Sequence, residues 1–314
     1  MAEWLYEEGI GENRAILVED GQILEAEIEL PGLRAGTVLD ARLVSNAGIA
    51  ALADGGEAVV EPVPTMSEGA AFRAEVTREA IPEPGRPKPP RLRPTELAPR
   101  PGPTLAERSG LRARHADGDA FEAAGWSELL EEAASGEIAF DGGALRMSLT
   151  PAMILFDVDG TLPPPALAGA GAEAAARAIR RFGLGGSIGI DLPTLPKDRR
   201  QAAAAIVDRL LPQPFERTAV NGFGFLQIVR RRVRPSIPEI LHADPAAATA
   251  RALLRRAERL TGAVALVAAP RVIALLESRP VWLAELARRT GGPAALRGDP
   301  GLAISAGHVQ TVQS

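Results

Sequence analysis

The sequence predicts a multidomain protein of mixed α+β and α/β class, and three stretches carry that prediction. Residues 14–30 alternate apolar and polar side chains on both sides of Glu19-Asp20-Gly21, the pattern of a β-hairpin. Residues 36–77 break into short β-prone runs separated by glycines and acids, as in a small barrel or sandwich. From residue 151 strand-like and helix-like segments alternate, which predicts parallel strands joined by a right-handed crossover. At 314 residues the chain is long for a single core, so two or three modules are expected.

Within the second stretch the runs TVLDARLV, GIAALA, EAVVEPV and AFRAEVT supply the strands. Residues 82–103 are rich in proline and arginine and read as an extended linker or surface loop. Residues 119–136 read as one helix with Ser127 as a cap, followed by the strands EIAFD and ALRMSL around Gly142-Gly143. Strand 153–159, helix 172–182 and strand 187–191 form the βαβ unit. Helix 198–211 follows, and a further helix is expected over about 223–233, ending before Pro235. A separate small α/β unit closes the chain. It has helix 246–261, strand 263–268, helices near 270–277 and 281–289, and strands near 294–297 and 302–309.

Composition narrows the chemistry. The chain is 46% hydrophobic and 24% charged, which fits a globular protein. No apolar run approaches the length of a membrane span, so no membrane association is expected. The acidic N-terminus MAEWLYEEGIGENR has no apolar signal core, which predicts a cytoplasmic location. With no cysteine there is no disulfide, thiol nucleophile or Cys-ligated zinc. Only His115, His242 and His308 are present, too few for a His-rich metal site.

The net charge of −5 speaks against nucleic acid, but its distribution does not. Residues 1–80 hold 16 acids and 5 arginines, a net −11, whereas residues 177–234 hold 12 basic residues and 4 acids, a net +8. All but Lys88 and Lys197 of the 35 basic residues are arginine, the better fork for phosphate.

Candidate site residues sit beside that basic stretch. Asp157 and Asp159 end one predicted strand, and Asp191 ends the next. Parallel strands of a βαβ unit open at their C-terminal ends on one edge, where ligands bind. Carboxylates converging there repel one another unless a cation intervenes, and Mg²⁺ takes one or two carboxylates with substrate phosphate and water. Arg199 and Arg200 follow Asp191 closely and can hold phosphate. Arg230, Arg231, Arg232 and Arg234 cluster where the expected helix ends, suited either to its negative dipole or to a nucleic-acid backbone.

Two resemblances compete for these residues. ILFDVDGTL resembles the first motif of the haloacid dehalogenase phosphatases, which implies Asp157 as nucleophile and Asp159 as acid/base. The later acid pair of that family has no match, since Asp191 and Asp299 each stand alone. The whole chain resembles the ribonuclease E/G family. ENRAILVEDGQILEAEIE is similar to the family's opening hairpin, and GTVLDARLVSNAGIAALADGG with the SEGAAFRAEVTREA segment to its OB-fold RNA-binding domain. The passage from DAFEAAGW to MILFDVD resembles the approach to its catalytic subdomain, GLGGSIGIDL its second catalytic strand, and GFGFLQIVRRRVRPSI the signature after it. ALLRRAERL through GDPGLAI resembles its small C-terminal domain.

The resemblance implies an RNase H-like region over 1–34 and 104–150 and an inserted OB-fold β-barrel over 35–81, with 82–103 as linker. It further implies a DNase I-like catalytic subdomain over 151–241 and a small C-terminal domain over 242–314. It implies an Mg²⁺-dependent endoribonuclease acting on single-stranded RNA. Asp157 and Asp191 match the two magnesium-binding aspartates, Asp159 stands where the family has Asn, and Phe223 and Arg232 lie in the signature. The chain also departs from the family. The 5′-monophosphate sensor is missing, the zinc-binding Cys pair between protomers is absent, and Leu52 and either Val59 or Val60 stand near the places of stacking Phe residues. No zinc is expected; a homodimer without a zinc link stays open, as does a non-catalytic RNA-binding role.

Overall fold

A computed structural model describes residues 1–83, 87–110 and 119–312, so His115 lies outside the described residues. The chain begins with three antiparallel strands, β1 (Glu3–Glu8), β2 (Asn13–Glu19) and β3 (Gln22–Glu29). Asp20 and Gly21 both have positive φ, 52° and 76°, so the predicted turn is the two-residue type whose twist matches its strands.

The second module is a closed barrel of β4 (Val38–Ser45), β5 (Ile49–Ala51), β6 (Glu57–Val60), β7 (Ala71–Arg78) and β8 (Arg91–Pro94). The order is β4-β5-β6-β8-β7, with β7 returning to β4 and β6 parallel to β8, an OB-like arrangement. Alternate residues such as Leu43, Val60, Val76 and Leu92 fill its interior. The fifth strand corrects the expected linker over 82–103. Its only inward side chain, Leu92, stands between Arg91 and Arg93 in a proline-rich stretch, so its alternation is too brief to read. The barrel's first and last segments meet: Arg34 Nε donates to Gly102 O at 2.9 Å and the Gly102 amide donates to Thr37 Oγ1 at 2.9 Å.

After α1 (Leu105–Arg108), the predicted 119–136 helix divides into α2 (Ala120–Ala123) and α3 (Trp126–Ser135). Gly125, at φ 92°, makes the break. Asp119 rather than Ser127 is the cap, its side chain accepting from the Glu122 amide at 3.0 Å.

A six-stranded sheet follows. It contains β9 (Glu137–Phe140), β10 (Gly143–Leu149), β11 (Ile154–Gly160), β12 (Gly186–Asp191), β13 (Phe215–Arg217) and β14 (Phe225–Arg230). The order is β13-β14-β12-β11-β10-β9. Helix α4 (Pro164–Arg181) makes the crossover between parallel β11 and β12, as predicted, and α5 (Lys197–Leu210) packs against it. Small residues Gly171, Ala172 and Ala175 let α4 lie close to the sheet, with Gly171 above Val158. One face of the sheet buries Leu145, Phe156, Val158, Ile188, Ile190, Leu226 and Ile228. The other is open.

The expected helix over about 223–233 is instead strand β14. Leu226 and Ile228 point inward while Gln227 and Val229 point out, a period of two obscured by the arginines that follow.

Helix α6 (Ile237–Ala243) packs Ile237 and Ile240 into the core of that sheet, and the last unit has α7 (Pro245–Ala257), β15 (Gly262–Ala268), α8 (Pro270–Glu277), α9 (Pro280–Thr290), β16 (Gly291–Gly298) and β17 (His308–Thr311). It has its own core, to which the β1–β2 turn contributes Ile10. Beside that contact lies a buried ion network. Arg14, 1% exposed, is 3.5 Å from Glu7, 3.5 Å from Glu12 and 3.2 Å from Glu258. Arg251 reaches Glu12 at 2.8 Å, and Arg255 reaches Glu7 at 3.0 Å and Asp119 at 2.6 Å. No helix among the described residues is long and apolar enough to cross a membrane.

Candidate active site

Asp157 and Asp191 are register partners on the parallel strands β11 and β12. Neighbouring strands run about 4.8 Å apart, so the two side chains rise side by side. Alternation decides which way they face. Phe156, Val158 and Ile190 turn inward to the helices, so Asp157, Asp159 and Asp191 turn outward, and all three are exposed. All three therefore lie on one face of the sheet, Asp157 and Asp191 as register partners and Asp159 two residues further along β11.

Glycines shape the rim. A Cβ on Gly189 would sit 2.5 Å from the Phe225 ring, so the missing side chain lets that ring lie across β12, next to its register partner Asp191. Gly224, at φ 99°, brings the preceding turn against the Leu192 carbonyl. The Asn221 side-chain carbonyl accepts from the amides of Phe223 at 2.9 Å and Phe225 at 3.0 Å. Thr194 Oγ1 donates to the Phe223 carbonyl at 3.3 Å. The result is a braced turn presenting Phe223, 84% exposed, beside the carboxylates.

Of the predicted arginines, Arg200 lies near this turn: a Cβ on Gly222 would be 3.5 Å from its Nη1. Arg199 is exposed on the first turn of α5, paired with Asp198 at 3.5 Å. The strand ends thus gather Asp157, Asp159, Asp191, Phe223 and Arg200.

The downstream arginines lie elsewhere. Arg230 pairs in register with Gly186, five residues from the Asp191 end of β12, or roughly 17 Å along the strand. There is no helix end for these arginines to cap in the way expected. Arg230 Nη1 instead donates to the Leu184 carbonyl at 2.9 Å, and burial pushes its pKa down. Arg232 binds Glu83 of the barrel region at 2.8 Å and also Glu239 of α6. Arg234 lies 3.9 Å from both Glu27 and Glu79. Arg231 alone of the four is exposed. Arg232 and Arg234 bind the modules together.

Sequence reasoning missed Arg146 on β10. It stands opposite Asp157 in the antiparallel register, and its guanidinium lies 3.5 Å from Asp159 and 3.6 Å from Glu137. Cross-strand register was the missing information. Asn221 and Phe225 likewise carried no role in the sequence reading, although Phe225 lies in the quoted signature and Asn221 directly precedes it.

Among the described residues no group of three or more acidic or histidine side chains is placed to hold a metal. Asp157 and Asp191 form a two-carboxylate oxygen donor set, a number that suits Mg²⁺ completed by water and substrate oxygens. In the barrel, Phe72 is the one aromatic residue and it belongs to the core, so the barrel strands carry no aromatic stacking platform. No family model matches the chain, and no curated protein matches it.

Proposed function

We propose that the protein is an endoribonuclease of ribonuclease E/G type, hydrolysing phosphodiesters of single-stranded RNA with Mg²⁺. The observation that carries this reading is the register pairing of Asp157 with Asp191 on an open sheet edge. The order of modules supports it: an opening hairpin, an inserted OB-like barrel, a βαβ-containing sheet and a small terminal unit. In this reading residues 1–34 with 104–150 form the RNase H-like region and residues 151–241 the DNase I-like one.

Asp157 and Asp191 hold the ion. Bound there, Mg²⁺ supplies an activated water and stabilises charge on the phosphorus centre. Phe223 offers a ring on which a base next to the scissile bond stacks. Arg200, with Arg199 next to it on α5, binds the backbone phosphates that flank that base. Arg230, Arg232 and Arg234 have internal partners and take no part. The absence of cysteine leaves no thiolate for a zinc link, and the reading places the protein in the cytoplasm.

The test is cleavage of an AU-rich single-stranded RNA with and without Mg²⁺. Cleavage that needs the metal and is lost in both Asp157→Asn and Asp191→Asn is expected. Full activity in both variants overturns the mechanism. Binding of RNA without cleavage in any divalent metal replaces it with a non-catalytic role. Turnover of a small phosphomonoester that collapses in Asp159→Ala replaces it with the phosphatase reading.

A further inference from the structure

The open face of the six-stranded sheet carries three aspartates at the strand ends, and one strand residue on that face brings a positive charge. That residue is Arg146. The register sets it across from Asp157, and its guanidinium lies between Asp159 at 3.5 Å and Glu137 at 3.6 Å. Its side chain is 60% exposed, so packing is not what keeps it there. Asp159 is two residues beyond Asp157 on the same side of β11 and, through this contact, points to β10 rather than to β12.

We propose that Arg146 is a positioning residue that holds Asp159 aside, leaving Asp157 and Asp191 as the metal-binding pair and limiting how tightly they hold Mg²⁺. This rests on the Mg²⁺ reading above. The effect is electrostatic. A third carboxylate next to a two-carboxylate site deepens the negative potential, and a fixed guanidinium cancels it. The guanidinium also repels the incoming cation directly. At a separation of about 7 Å in water, a unit charge changes the affinity for a divalent ion by roughly threefold after screening. Such a restraint suits a site whose ion must also bind and release substrate oxygens.

Magnesium titration by calorimetry on the full chain tests this without reference to cleavage. Arg146→Gln is expected to bind Mg²⁺ about threefold tighter than the wild type. A residue whose role was only structural would weaken binding when removed. Arg146→Lys, which keeps the charge, is expected to stay within about twofold of wild type. Arg146→Gln with Asp159→Asn removes one charge of each sign and is expected to return the affinity close to wild type. Circular dichroism checks that each variant is folded. Wild-type binding with an Arg146→Gln affinity that is unchanged or weaker overturns this inference alone. Absence of Mg²⁺ binding by the wild type overturns both it and the reading beneath it.

Discussion

The side-chain carbonyl of Asn221 accepts the backbone amide of Phe223 at 2.9 Å, so an almost fully exposed phenylalanine stands on a rigid turn. A ring this exposed contributes little to folding, and in the proposed function it stacks on a base. Phe223→Ala is expected to weaken binding of single-stranded RNA by about 1–3 kcal/mol, the usual loss for one stacked base. Thermal denaturation should show an unchanged midpoint.

Gly224 closes the same turn. A Cβ there would lie 2.0 Å from the Leu192 carbonyl oxygen, and the φ of 99° is unfavourable for any other residue. Gly224→Ala must therefore move the turn away from β12, at a cost of about 1–3 kcal/mol. Stability and RNA binding should fall together, in contrast to Phe223→Ala.

Arg231 and Arg232 are neighbours in sequence with different surroundings. Arg232→Ala removes the link between Glu83 and Glu239, and Glu239 is itself buried. A loss of about 3 kcal/mol is expected from leaving that carboxylate unpaired. Arg231→Ala should leave stability within about 0.5 kcal/mol, as for an exposed residue. Urea denaturation of the two variants separates the cases.

The hydrogen bond from Arg217 holds the Asp208 carboxyl below its ordinary range. A carboxyl whose pKa is depressed on folding adds stability above its unfolded value, about 4, and loses it as the pH falls through the folded value. The pair is partly exposed, so Asp208→Asn should cost under about 1 kcal/mol at pH 7. Denaturation followed downward from pH 7 should show the difference between variant and wild type closing below about pH 4.

Much of this architecture is legible without coordinates, and the failures have local causes. The βαβ unit reads clearly because Phe156, Val158, Ile188 and Ile190 form compact apolar runs that end in aspartate. The 14–30 hairpin reads through its turn. Strand β14 was hidden because Arg230, Arg231, Arg232 and Arg234 extend an apparent helical face beyond a strand of only six residues. Strand β8 was hidden because a barrel can recruit a strand with a single inward side chain once its neighbours are fixed. The aspartates could be found at strand ends. Arg146 could not, because its meaning depends on which residue of β11 stands opposite, and register is a property of the assembled sheet.

The contact between Arg34 and Gly102 makes the chain leave for the barrel and return from it at nearly the same point. A module joined in this way is an interchangeable part. Joining the chain across that contact would omit residues 35–101 while asking the flanking segments to close only a short gap. Outside it, the barrel is tied by the side-chain pairs Arg232 to Glu83 and Arg234 to Glu79 and by a backbone bond from the Glu79 amide to the Val233 carbonyl at 2.8 Å, rather than by a shared strand. An ancestor could therefore have gained, lost or exchanged this barrel without rerouting the strands that carry Asp157 and Asp191.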